Sequence, residues 1–154
     1  MPSPIQFLER VITLLKPNGW LLIEDTCIMD SPRAYGPMQR RRTDIMIAYM
    51  TSKDQDPRIG ATAAEFVSTN LAFDEVCIRR QLLSYLPLPD DPLVRPLAET
   101  MRNSIIRTTT HALSSELIAA GMTPELQKAW KAEMDDTQYD PTSRVYFIWA
   151  RKRA

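Results

Sequence analysis

The sequence predicts an α/β fold, and three observations carry that reading. A tight turn, Pro17-Asn18-Gly19, feeds an uninterrupted apolar run, Trp20-Leu21-Leu22-Ile23, that closes on two carboxylates, Glu24 and Asp25. Near the other end, Arg144 to Arg151 is β-branched and aromatic across both faces (Val145, Tyr146, Phe147, Ile148, Trp149). Helical spacing dominates much of what lies between these strand signals.

The first element is a helix. Ser3-Pro4-Ile5-Gln6 offers an N-cap hydroxyl, a proline at the first helical position and a glutamine placed to complete a capping box. Ile5, Leu8, Val11, Ile12 and Leu15 keep helical spacing, and Pro17 and Gly19 stop the run. Four consecutive apolar residues between that turn and Glu24 read as a short strand buried on both faces, as in parallel sheets. The loop Ile28 to Pro37 contains Asp30, Ser31, Pro32, Tyr35 and Gly36, a turn-rich composition.

Met38 to Thr51 is the next helix, with Ile45, Met46, Tyr49 and Met50 on one side and Arg40-Arg41-Arg42 near its start as a solvated basic turn. Ser52 to Gly60 is a polar connection, followed by a short helix from Ala61 to about Thr69 with Phe66 and Val67 facing inward. Leu71 to Ile78, extended through Leu82 and Leu83, reads as a strand. Tyr85 to Pro92 breaks regular structure with three prolines, which can neither donate to a ladder nor continue a helix.

Leu93 to Ala120 reads as one long helix, with Leu93, Leu97, Met101, Ile105 and Ala112 along one seam and Gly121 at its end. Thr123-Pro124-Glu125 starts another, to about Met134, carrying Leu126, Ala129, Trp130 and Met134 on an inward face.

Two passages resemble a known family. Lys16-Pro17-Asn18-Gly19-Trp20-Leu21-Leu22-Ile23-Glu24 is similar to the passage of class I S-adenosylmethionine-dependent methyltransferases in which the fourth crossover helix turns into the fifth strand. Leu97 to Arg107, Met122-Thr123-Pro124-Glu125-Leu126, and Arg144 to Lys152 resemble the long helix, short helix and closing strand of fungal secondary-metabolism methyltransferases, the group that contains the velvet-complex regulator. Leu71-Ala72-Phe73-Asp74-Glu75-Val76 resembles the family's lead-in to the sixth strand, with Ala72 where a glycine is usual.

The resemblance implies a Rossmann-like sheet ordered 3-2-1-4-5-7-6, of which every matched passage belongs to the second half. The expected fold is therefore a truncated Rossmann-like methyltransferase domain over residues 1–154, with about three strands (matching strands 5, 7 and 6) and flanking helices. The family's cofactor sits on the first half, under a glycine-rich turn. This chain has four glycines, at 19, 36, 60 and 121, and no G-x-G. The expectation is that this chain alone binds no cofactor, and that S-adenosylmethionine enters only if a partner supplies the first half.

Composition narrows the function classes. Lysine plus arginine equals aspartate plus glutamate, 19 each, so no global field attracts nucleic acid or an anionic membrane. No apolar run reaches the roughly 20 residues of a membrane span, and Met1-Pro2-Ser3 does not begin a secretory leader, so a cytoplasmic protein is expected. Cys27 and Cys77 lack a C-x-x-C partner, which gives neither a zinc site nor a disulfide framework and makes both buried fillers.

Candidate site residues follow from topology and chemistry. Ligands of open parallel sheets bind beyond the carboxyl ends of the strands, which puts Glu24, Asp25 and Tyr35 at the expected position, although two carboxylates there also simply end a strand. His111 is the sole histidine and the one side chain that titrates near neutrality without perturbation. His111 and Asp25 are the candidate catalytic groups, with Glu24, Tyr35 and Arg107 as candidate substrate contacts.

With the fourth strand missing, Trp20, Leu21, Leu22, Ile23 and Glu24 form an apolar edge, and natural proteins rarely leave one bare. The expected partner is a second copy of the chain or a separate protein carrying the first half. Two function classes remain: the substrate-side half of a small-molecule methyltransferase that requires a partner, or a non-methylating relative serving as a scaffold or as a cyclase on a polyketide or terpenoid intermediate.

Overall fold

The capping signals at the first helix operate as written. Gln6 N–H donates to Ser3 Oγ at 3.2 Å and Ser3 N–H to Gln6 Oε1 at 3.1 Å, closing the box that starts α1 (Pro4–Leu14). The chain then reverses in a turn closed by Gly19 N–H on the Lys16 carbonyl at 2.9 Å. Pro17 supplies the fixed φ at the second position, and Asn18 takes φ 60° at the third, where a type II turn requires a left-handed residue. The structure, a computed structural model, describes residues 3–28, 35–84, 94–111, 113–136, 138–139 and 142–154.

After α1 come β1 (Trp20–Cys27), α2 (Pro37–Ser52), α3 (Ile59–Thr69), β2 (Phe73–Ser84), α4 (Val94–His111), α5 (Ser115–Ala119), α6 (Pro124–Met134) and β3 (Thr142–Lys152). The strands form one sheet in the order β1-β3-β2. This is the order expected of strands five, seven and six, and with helices flanking the sheet the fold is the predicted α/β arrangement. The chain divides into two compact units, Met1–Ser31 with Met50–Leu82 and Ser143–Ala154, and Pro32–Tyr49 with Leu83–Thr142.

The first unit holds the sheet. β3 runs antiparallel to β1 with Leu22 opposite Trp149, Ile23 opposite Ile148 and Glu24 opposite Phe147. One face of the sheet carries Leu21, Cys27, Tyr146, Ile148 and Ala150, which join Leu8 and Ile12 of α1 and Ala63, Ala64 and Val67 of α3 in a single core. Gly60 lets α3 approach β1. A Cβ there would lie 3.0 Å from the Thr26 carbonyl oxygen and 3.0 Å from the Tyr146 ring.

The reading of β1 as a strand buried on both faces, of the parallel-sheet kind, is corrected. Its neighbour is antiparallel, and burial alternates along it, with Leu21 at 7% exposure and Leu22 at 75%. Helices α1 and α3 pack on the Leu21 face, and the other face keeps its apolar side chains without an equivalent layer among the described residues of this unit. An apolar run thus marks what a strand can bury, and an alternating pattern what it does bury.

The second unit is helical. Trp130 and Met134 of α6 are buried against Met101, Ile105 and Ile106 of α4 and Met38 of α2, so the inward reading of Trp130 holds. The single helix expected over 93–120 is two elements. α4 ends at His111, and Ser114 then N-caps α5 by accepting Leu117 N–H at 3.1 Å. A serine whose side chain bonds the backbone three residues on begins a new helix and does not continue the old one. Gly121, at φ 105°, ends α5 with Gly121 N–H on Ile118 and Met122 N–H on Leu117, a Schellman arrangement.

Two smaller expectations also change. Arg42 is not on a solvated face, because its guanidinium stacks over the Trp130 ring at 4.4 Å. Cys27 is buried as expected, whereas Cys77 is half-buried, and the two are not joined in a disulfide. The proline-rich break at 85–92 and most of the loop at 28–37, including Asp30, Ser31 and Pro32, lie outside the described residues.

Candidate functional site

β1 delivers its two carboxylates to opposite sides of the sheet, because successive strand residues alternate. Asp25 lies on the helix-packed face, half-buried opposite Tyr146, and its Oδ1 accepts Thr26 N–H at 2.7 Å. Glu24 points the other way, exposed, into an open groove of about 530 Å³.

That groove runs over the sheet face opposite α1 and α3. Leu22 and Glu24 come from β1, Phe147 and Trp149 from β3, and Arg79 and Gln81 from β2. The Arg79 guanidinium lies 5.5 Å from the centre of the Trp149 ring. Arg151, on the same face by alternation, pairs with Asp74 at 3.2 Å and Glu75 at 3.5 Å. An aromatic floor with a cation and a carboxylate at its sides suits a flat apolar group or the apolar side of another element. The sequence reading did not single out Arg79, Phe147 or Trp149. Period-two alternation within 144–151 is the signal that separates Phe147 and Trp149 from the core residues beside them.

The edge of β1 away from β3 has no hydrogen-bonded strand among the described residues. Trp20, 45% exposed, and Leu22 flank it. The apolar part of β1, Trp20 to Ile23, contains neither lysine nor proline, the residues that commonly guard such an edge.

The remaining candidates belong to the second unit. The Tyr35 hydroxyl donates to the Thr142 carbonyl at 3.2 Å, and the Tyr35 carbonyl accepts from Arg40 Nε at 3.0 Å. Arg107 is exposed and lines a polar groove on α4. His111 is the last residue of α4, and its side chain lies outside the described atoms. The five predicted site residues are thus divided, Glu24 and Asp25 in one unit and Tyr35, Arg107 and His111 in the other.

One carboxylate that sequence reading passed over has a defined structural use. Glu133 of α6 reaches the start of α2, where Oε2 accepts Met38 N–H and Oε1 accepts Gln39 N–H, each at 2.8 Å. The Gln39 side-chain oxygen in turn accepts from the Trp130 indole N–H. Beyond this network, Glu125 at the start of α6 has its pKa lowered by its own backbone N–H and by the Thr123 hydroxyl.

The chain's glycines provide a test of whether it could cradle a nucleotide-like cofactor, since such cradles need backbone that a ligand can approach. Each glycine position is already committed. Gly19 closes the turn against Lys16, Gly36 abuts the Glu133 carboxylate, Gly60 abuts β1, and Gly121 ends α5 against Ile45. Among the described residues no group of three histidine, cysteine or carboxylate side chains could hold a metal ion, and no helix is long and apolar enough to cross a membrane.

Comparison with known proteins gives two relatives. The chain is 28% identical over 161 aligned positions to methyltransferase str2 of Strobilurus tenacellus, and 29% identical over 163 to methyltransferase str3 of the same organism. The alignments cover 100% and 99% of this chain but 57% of each relative, so the chain spans little more than half the length of the proteins it matches. No family model matches the chain. The chain is thus similar to part of a methyltransferase, in agreement with the resemblance read from its own motifs.

Proposed function

We propose that this chain is the substrate-side half of a small-molecule methyltransferase of secondary metabolism, active in methyl transfer only when a partner chain brings the S-adenosylmethionine site. The observation that carries this reading is a coincidence of two boundaries. Nearly all of the chain aligns to 57% of each methyltransferase relative, and among the described residues its sheet stops at β1, whose outer edge has no hydrogen-bonded strand. A strand from the cofactor half would pair with that edge and would bring a covering layer toward Leu22, Phe147 and Trp149.

A second copy joined edge to edge is the less favourable occupant. It would extend the sheet through β1 and leave the same aromatic face uncovered in both copies, whereas a half-domain in trans can cover edge and face together.

In this reading the chain's own work is to hold the acceptor. Transfer of a methyl group demands alignment of nucleophile and electrophile, so positioning supplies much of the rate, and a base contributes only where the acceptor must lose a proton. Within the first unit Glu24, beside Phe147 and Trp149, is the proposed acceptor contact, while Asp25 on the opposite face of the sheet does not share its groove. Isothermal titration of S-adenosylmethionine into the purified chain tests the division of labour. No binding is expected for the chain alone, and micromolar binding overturns the proposal. Co-expression with the part of methyltransferase str2 that this chain does not match is expected to give a complex that binds the cofactor.

A further inference from the structure

The groove over the sheet lies wholly within the first unit, and its volume of about 530 Å³ falls in the range that small organic ligands occupy. Its floor is built on two cross-strand pairs, Leu22 opposite Trp149 and Glu24 opposite Phe147. Successive same-face residues stand about 7 Å apart along a strand and three strands span roughly 10 Å, so the floor has the footprint of two fused planar rings.

The polar groups at the two sides of this floor differ in what already answers them. On the β2 side the Arg79 guanidinium lies over the Trp149 ring at 5.5 Å, and the β2 carboxylates Asp74 and Glu75 pair with Arg151. On the β1 side the Glu24 carboxylate has neither a hydrogen bond nor an ion pair among the described residues, and β3 separates it from Arg79. A flat ring laid on Phe147 and Trp149 buries aromatic surface and brings whatever it carries at its β1 end to Glu24. An ionised carboxylate only accepts, so the group it answers there must donate.

We propose that this groove binds a planar bicyclic aromatic bearing an O–H or N–H donor, which stacks on Phe147 and Trp149 and donates to Glu24. The inference rests on the reading of this chain as the half that holds the acceptor, and it names the acceptor's class, a phenol or an aryl amine. The compounds 6-hydroxyquinoline and 6-aminoquinoline carry the two donors on one body, 6-methoxyquinoline removes the donor, and quinoline-6-carboxylate replaces it with an anion. Calorimetric titration of each into the whole chain separates the two sources.

Saturable binding of the hydroxyl or the amino probe is expected, roughly tenfold tighter than that of the ether, the size of one charge-assisted hydrogen bond. Glu24→Leu is expected to erase that preference and Trp149→Ala to weaken all probes together. Arg41→Glu, an exposed charge reversal on α2, is expected to change neither. Circular dichroism establishes that each variant is folded, and Leu22→Ser replaces Trp149→Ala if the latter unfolds. Absence of saturable binding by the unaltered chain, tighter binding of the carboxylate, or a preference that survives Glu24→Leu overturns the proposal. The cofactor titration fails separately. A chain that binds the donor-bearing probes and also takes up S-adenosylmethionine alone keeps this groove and loses the two-chain reading. A complex that binds cofactor, beside a chain that binds no probe, keeps that reading and loses the groove.

Discussion

The Glu133 carboxylate occupies the space that a side chain at residue 36 would need. A Cβ on Gly36 would overlap Glu133 Cδ and both carboxylate oxygens. The same two oxygens bind the first free N–H groups of α2, so the glycine and the glutamate form one device for starting that helix. Gly36→Ala is expected to expel Glu133 from the helix start and to cost about 1–2 kcal/mol, the scale of a lost N-cap. Glu133→Ala should cost a similar amount, and the double variant little more than either alone, because both remove the same interaction. Urea denaturation of the three variants measures this; additive losses would contradict it.

Gly60→Ala is expected to destabilise the first unit by about 1–3 kcal/mol, the range for overpacking. The new methyl would press on the Asp25 and Thr26 carbonyl oxygens, which are backbone and cannot swing aside. Thermal unfolding gives the check, with Ala63→Gly as a comparison that removes a buried methyl from the same helix without a clash.

Lys152 ends β3 with its ammonium between the Ile12 and Leu15 carbonyls, at 2.9 and 2.8 Å, and so caps the far end of α1. Lys152→Met keeps the stem and removes the donors. Its expected cost is about 1–3 kcal/mol, from two carbonyls that lose a charged partner, read as a lower denaturation midpoint and faster amide exchange in the last turn of α1.

Glu125 carries a pH effect whose sign follows from its lowered pKa. Its contribution to stability is present above the ordinary carboxylate value of the unfolded chain and is lost as pH falls through the lower folded value. Glu125→Gln is therefore expected to reduce stability slightly at neutral pH and to match the unaltered chain in acid. A pH series of melting temperatures measures the convergence; a gap that persists in acid would refute it.

Leu22→Lys places a charge on the exposed face of the bare edge strand, at a position 75% open, and is expected to leave stability within about 0.5 kcal/mol. Its effect belongs to association. Sedimentation velocity at micromolar concentration should show less self-association for the variant, and the co-expressed complex with the cofactor half should weaken. Unchanged complex formation would remove Leu22 from the interface.

What sequence made legible was local. Ser3 with Gln6, Thr123 with Pro124, and Pro17-Asn18-Gly19 carry their partners within a few residues, so helix starts and the turn are written directly in the chain. The order of the strands came from the resemblance and not from periodicity, because nothing within 20–27 says which later strand lies beside it. Ser114 was legible as an N-cap and went unread, since the surrounding apolar spacing hid the break. The cap by Glu133 was out of reach, as 94 and 95 residues separate it from the amides it binds. Among the site candidates, alternation would have assigned Glu24 and Asp25 to opposite faces, whereas Tyr35, Arg107 and His111 required knowledge of which unit each joins.

The strand order also dictates when this molecule can fold. β3 follows β1 and β2 in sequence yet lies between them, so the two have no common neighbour until β3 has paired. Leu21 and Phe73 join one core only once β3 has closed between their strands, a non-local pairing that slows folding. A substitution that unpairs β3 would therefore dismantle the whole sheet and not merely one strand.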